Sequence, residues 1–481
     1  MLRLGLGALL VSVSSMASAH SFGQSYSLPV PFWLYGSASM AALAISFLIA
    51  AIFMRRGAAI SPRPDGELSQ SKTIGLTLKL AQGLSLVFLA LSIMTGIWGH
   101  PNAYANLNMT LFWIIFVLAF AYLHALVGGV HAATSPWLSL SKLLGKLHLS
   151  FTQGLFKYNA LAYGYSPAIV LYMAFIWVEL FGETKPFSLA MYLLAYSGIN
   201  VLGSLLWGSK SWFHYGELFS VFLRMMSLIS PLYLAQNQSG EWRLHYRWPF
   251  AGLLKQQADH SSLVLFILFM LSSTAYDGLH ETVFWLRLFW SSLLPVLDPE
   301  VLNLGLRAVI THRNWYHGFQ WSGLLLSPFV YLAAYWLALW LGKLLARSDV
   351  SLAELSLRFA YSLLPIALVY HITHYYALLM TQGVKVLALF SDPFGLGWNL
   401  FGTANWFDEP IIPNVAVVWH VQVVTIVIGH IISVYIAHVE ALRLFGDHRR
   451  ATLSQLPMLL LMMAFTTAGL WILAQPIQTG L

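Results

Sequence analysis

Apolar runs of about 20 residues, separated by short polar stretches, recur along almost the whole chain, and each is long enough to cross the hydrocarbon core of a bilayer as a helix. The pattern predicts spans over Pro31–Met54, Leu76–Gly99, Met109–Ala132, Ala162–Phe181, Phe187–Trp207, Ser261–Ala275, Phe319–Leu341, Ala353–Leu379, Val415–Ala441 and Leu456–Ala474, about ten in all. The fold class that follows is all-α: a polytopic membrane helical bundle forming one domain, without internal repeats. Lys and Arg gather in alternate loops: Arg55 and Arg56, then Lys142 and Lys146, Lys210, Lys343 and Arg347, and Arg443 to Arg450. By the positive-inside rule those loops are cytoplasmic, which places the mature N-terminus and the C-terminus outside a bacterial inner membrane.

Three stretches depart from the simple pattern. Met1 to Ala19 reads as a cleaved signal peptide, with Arg3, an apolar core and Ala17-Ser18-Ala19 as the cleavage site. Phe213 to Ala235 is apolar but carries His214, Glu217 and Arg224 and has basic flanks on both sides, so residues 212–260 are expected to form a cytoplasmic interfacial or re-entrant segment. Residues 276–316 and 381–414 are expected as external loops. Pro393, Gly395 and Gly397 should give the second an ordered turn, with Phe394 and Trp398 packed as a lid.

Composition agrees with the pattern: 58% of residues are hydrophobic and 9% charged, against about 25% charged in soluble domains. The partner implied is the lipid bilayer. The net charge of +7 is explained by cytoplasmic loops and calls for no nucleic acid, and room is left for a second membrane subunit. The absence of cysteine excludes disulfides, thiolate metal sites and cysteine nucleophiles. No P-loop, dinucleotide fingerprint, H-E-x-x-H or G-x-S-x-G motif occurs.

Candidate chemistry lies in polar residues within apolar runs, which at membrane depth mark sites or pathways. His371 and His374 are three residues apart, about 300° around a helix, and are expected to share a face with Tyr375 beside them. Asp277, next to Tyr276, ends its span and could ligate a metal, orient a histidine or act as base. His420, Gln422, His430 and His438 lie along one span, and His430, at its centre, has no easy route to water. His124 and His131 are weaker candidates. His20, exposed as the mature N-terminus by cleavage, could chelate copper.

STAYDGL (Ser273 to Leu279), SLLPIALVYHITHY (Ser362 to Tyr375), SDPFGLGWNLFGT (Ser391 to Thr403) and the helix with Gln422-Val423 and Gly429-His430 resemble a group of polytopic bacterial proteins known as fenitrothion hydrolases. The resemblance is best over residues 260–445. It implies hydrolysis of an organophosphate-type ester, and it carries Asp277, His374, Asp392, Gln422 and His430 forward as the polar residues of the matching motifs. The expectation is therefore a membrane hydrolase dependent on a divalent transition metal, with copper, zinc and iron not distinguished by these residue types. His374, His430, His371, His420 and His20 are the candidate ligands, Asp277 is catalytic, and Gln422, Asp392, Tyr276 and Tyr375 support. The alternative is a transporter or assembly factor that handles a metal ion or protons.

Overall fold

The structure, a computed structural model, describes residues 31–54, 65–69, 72–147, 150–305, 307–407, 411 and 413–475. The expected signal peptide and His20 lie outside the described residues. Among the described residues nine helices are long and apolar enough to span a membrane: α1 (Phe32–Phe53), α2 (Ile74–Trp98), α3 (Leu107–Leu126), α5 (Pro186–Trp207), α7 (Ser261–His280), α8 (Arg307–Leu345), α9 (Leu352–Ser391), α10 (Val415–Phe445) and α11 (His448–Leu473). Two shorter apolar helices, α4 (Ser166–Phe181) and α6 (Leu218–Ser227), sit among them. In lipid every backbone N–H and C=O must find a partner within the protein, which a helix provides by itself. Large apolar side chains such as Trp33, Leu48, Ile310, Leu326 and Val330 stay exposed, as a lipid-facing surface requires.

Helix ends are set by local chemistry. The Asn414 side chain accepts from the backbone N–H groups of Ala416 and Val417 to start α10, and Asp447 accepts from Arg450 to start α11. α7 packs on α8, α9 and α4, α9 packs on α10, and α10 and α11 pack on each other. Close approach of α9 and α10 depends on Gly429, where a Cβ would lie 2.5 Å from a Val369 methyl. Across that seam the Gln422 amide donates to the Thr373 carbonyl at 2.8 Å.

α4 and α7 run in parallel. The Tyr165 N–H meets the Ser262 hydroxyl at 2.7 Å at one end, and the Phe181 and His280 rings lie 5.7 Å apart at the other. These two ends are termed the Ser261 face and the His280 face. The Asn108 amide bonds the Pro186 carbonyl at 2.8 Å, so the start of α3 and the start of α5 lie toward the His280 face.

Of the two expectations for residues 212–260, interfacial or re-entrant, the structure takes the second. The chain rises from the Ser261 face through a wide π-helical turn, Trp212–Gly216, reverses at Glu217 and returns as α6. Leu218, Phe219, Val221, Phe222, Leu223, Met225 and Met226 are buried, so this helix is a re-entrant element packed in the bundle and does not lie along the interface. Leu232–Gln236 and Trp242–Tyr246 then form an antiparallel hairpin, strands β3 and β4. With β1 (Gly66–Ser69) and β2 (Val127–Gly128) they complete a four-stranded sheet in the order β1-β4-β3-β2. Within residues 276–316 helical turns cover Val283–Leu297, and α8 begins at Arg307, ahead of the span expected from Phe319.

Candidate functional site

Asp277 lies one turn before the end of α7, after the buried run Ser272-Ser273-Thr274, and is 3% exposed. α9 presents His374 and Tyr375 to it. His374 Nε2 is 2.6 Å from Asp277 Oδ2. The Tyr375 hydroxyl is 3.1 Å from the same oxygen and 2.8 Å from Oε1 of Glu179 on α4. Three helices thus contribute to one hydrogen-bonded run, Glu179–Tyr375–Asp277–His374. Half-buried Glu281 follows just beyond α7, its carboxyl pushed up to about 8 by burial first and by the negative charge of Asp277 second.

The run separates two cavities that share Thr274 in their walls. The first, about 30 Å³, is lined by Glu179, Asp277, His371 and Tyr375 together with Phe116, Phe219 and Phe222. The second, about 80 Å³, is lined by His374, His430, Tyr370 and Thr373 among Leu, Ile and Met side chains. At about 10–15 Å³ per water the first has room for about two waters.

His371 and His374 do not share a face as expected. His371 turns to the first cavity, its Nδ1 3.2 Å from the Tyr122 hydroxyl, whereas His374 turns to Asp277 and the second cavity. An i, i+3 pair is offset by about 60° from true alignment, and here that offset puts the rings on opposite sides of the Asp277 carboxylate. His430 is 1% exposed, and its Nδ1 donates to the Ile426 carbonyl at 2.8 Å. A carbonyl only accepts, so Nδ1 carries the hydrogen and Nε2 is a bare lone pair; Nε2 has no partner and its ring lines the second cavity. With Asp277 ionised, His374 Nε2 is the donor to it, and in the neutral imidazole Nδ1 is then the lone pair.

Four expected residues lie elsewhere, in structural roles. Asp392 accepts from the N–H groups of Leu396 at 2.9 Å and Gly397 at 2.7 Å, which orders the Ser391–Trp398 turn. His420 donates to the Ala416 carbonyl, faces Tyr35 at 3.4 Å and lines neither cavity. Gln422 is the interhelical bond described above. Tyr276 donates to the Gln320 carbonyl at 2.6 Å and stacks on His280. Sequence reading passed over Glu179, although a single acid in the apolar run of α4 is itself a signal.

The donor set tests the expected metal. Two imidazole lone pairs border the second cavity, with Asp277 behind His374 in the carboxylate–histidine arrangement that orients metal ligands. Among the described residues no group of three or more His, Asp or Glu side chains could hold an ion. A catalytic zinc site takes three protein ligands, so this set falls short of one. No family model matches the chain, nor does any curated protein or solved structure.

Proposed function

We propose that this membrane protein handles protons at the Glu179–Tyr375–Asp277–His374 run, as part of a proton-coupled transporter or assembly factor. The observation that supports this best is the Tyr375 hydroxyl between two carboxylates. A hydroxyl has one hydrogen to donate. A proton carried by one of the two carboxyls satisfies all three groups, and it can move from one side of Tyr375 to the other along the wall of the first cavity. His374 extends the run by its Nε2–H, with Nδ1 free to take up a proton from the second cavity. Ionisable groups buried among spanning helices are expensive and characteristically serve such relays. The excess of Lys and Arg toward the Ser261 face, Lys343, Arg347, Arg443 and Arg449 among them, supports a periplasmic His280 face in a bacterial inner membrane.

The test is infrared difference spectroscopy on the purified protein across a pH step. A protonated-carboxyl band that shifts in heavy water, and that Glu179→Gln or Asp277→Asn removes, is the expected result. A spectrum in which neither substitution changes any such band overturns the reading.

The second reading is the metal-dependent hydrolase, favoured by the two unpartnered imidazole nitrogens at one cavity. A bound ion would polarise an ester oxygen and acidify a water. His374 and His430 would hold it, and Asp277 would fix the orientation of His374. This reading ranks second because the cavity, about 80 Å³, is well below the roughly 300 Å³ of a pocket for a drug-sized molecule such as an aryl phosphotriester.

A further inference from the structure

Glu217 stands at the turning point of the re-entrant segment and is fully buried. Its carboxylate accepts from the N–H groups of Phe219 at 3.0 Å and Ser220 at 2.6 Å, and from the Tyr196 hydroxyl. The partners fix its depth: Tyr196 lies midway along α5, and Phe219 packs on Phe116, midway along α3, with ring centroids 4.8 Å apart. Capping a helix explains only part of this. Ser, Thr, Asn or Asp caps a helix, the first three without any charge. A buried carboxylate costs several kcal/mol unless it is well compensated.

A second observation bears on the same place. His131 is 3% exposed, and its Nε2 lies 3.9 Å from Glu217 Oε2 with no hydrogen-bond partner. The other titratable neighbours are accounted for. Tyr196 donates to Glu217, and His124 is held as the neutral Nδ1–H form, donating to the Phe120 carbonyl and accepting from the His131 N–H at 2.7 Å. Among the described residues His131 Nε2 is therefore the one buried ring nitrogen of this cluster without a hydrogen bond, and the charge it faces is the Glu217 carboxylate.

We propose that His131 and Glu217 form a second proton station, joined through the first cavity to the Glu179–Asp277 site. Leu218 and Phe219, directly after Glu217, line that cavity, and so do Glu179 and Asp277. A proton reaching His131 Nε2 makes an imidazolium facing the Glu217 carboxylate. It passes to Glu217 Oε2, leaving His131 neutral. It then crosses to the Glu179 or Asp277 carboxylate when the cavity takes up the two or so waters it has room for. Each group gives up one proton as it receives one. Phe116, Phe175, Phe219 and Phe222 keep the gap otherwise dry, so the route conducts only when water bridges it. The Glu179–Asp277 station itself rests on the function proposed above.

The test uses the full chain in liposomes containing a pH-sensitive dye, with a potassium diffusion potential imposed by valinomycin. Expected are proton entry at least tenfold faster than in protein-free liposomes and a tenfold or greater loss in Glu217→Gln, His131→Gln and Asp277→Asn alike. The melting temperature of each variant is read first. His131→Gln carries the test if Glu217→Gln fails to fold, because His131 Nε2 makes no hydrogen bond whose loss would unfold the chain. If Asp277→Asn blocks entry while both other variants conduct normally, the second station is wrong and the first stands. If Asp277→Asn conducts normally, the proposed function fails. Wild-type entry no faster than in protein-free liposomes overturns the connected route and leaves Asp277–His374 as a local acid–base pair.

Discussion

At the scale of single residues, the informative facts are the nitrogens that lack partners. His430 Nε2 is buried and bare because the Ile426 carbonyl takes the hydrogen of the opposite nitrogen, and the pairing with Asp277 directs the His374 lone pair in the same way. If both act on one copper or zinc ion, His374→Ala and His430→Ala should each cut metal retention at least tenfold, and the double substitution should cost little more than either alone. Asp277→Asn keeps the imidazole but removes its orienting carboxylate, and should weaken binding about 10–100-fold. Titration of the purified protein with each metal reads all four variants. Losses that simply add, or wild-type retention no better than that of the double variant, leave the two histidines without a common ion. What can be read in sequence is the position of these groups along their spans: Asp277 ends one apolar run, and His374 lies in the second half of Ala353–Leu379. Their pairing depends on helix rotation and on which helices are neighbours, and neither is encoded in the spacing of one span.

At the scale of elements, glycine decides how closely α9 and α10 approach. A Cβ on Gly429 would sit 2.5 Å from one Val369 methyl and 2.6 Å from the other, well inside contact distance. Gly429→Ala should therefore push α10 away from α9, lengthen the Gln422–Thr373 bond and displace His430, the next residue, from the second cavity. An overpacked core contact costs about 1–3 kcal/mol, and a lowered melting temperature in detergent is the expected readout. Val369→Ala made together with it should restore most of the loss, whereas an undiminished loss would show that the Val369 contact is not its origin. The long helices were legible because twenty apolar residues in lipid have few alternatives to helix. The re-entrant segment was not fully legible, since hydropathy records apolar length and not a reversal of direction at Glu217. The β3–β4 hairpin did carry a signal: two five-residue runs flank Asn237–Glu241, where Gly240 adopts φ 79°. That signal was masked when Leu232–Ala235 was read as the tail of an apolar helix.

At the scale of the whole molecule, the sheet ties together segments far apart in sequence. β1 pairs with β4 across some 180 residues, and β2 pairs with β3 across about 100. Asp65 fastens the edge of this assembly. Its Oδ1 lies 2.5 Å from Lys255 Nζ, and its Oδ2 accepts from the Tyr233 hydroxyl at 2.9 Å. Partial burial alone would raise this carboxyl, but the bonds from Lys255 and Tyr233 outweigh it and hold the group below its ordinary value of 3.8. A carboxylate lowered on folding binds fewer protons in the native state than in the unfolded one. Its contribution to stability is therefore fully present above about pH 4 and is lost as the pH falls through the lower folded value. Asp65→Asn should lower the melting temperature at neutral pH, and its curve should approach that of the wild type as the pH falls from about 4 through the lowered folded value. A parallel offset at every pH would assign the loss to packing around Asp65 and remove its charge from the account. Because the sheet lies beside α6 and the chain on either side of it, through the β2–α6 contact and the Phe250–Ile229 backbone bond, loosening this edge should also release the base of the re-entrant segment. Hydrogen exchange of the α6 amides, faster in Asp65→Asn than in the wild type at pH 7, would show that the sheet serves as the anchor for the element that carries Glu217 into the bundle.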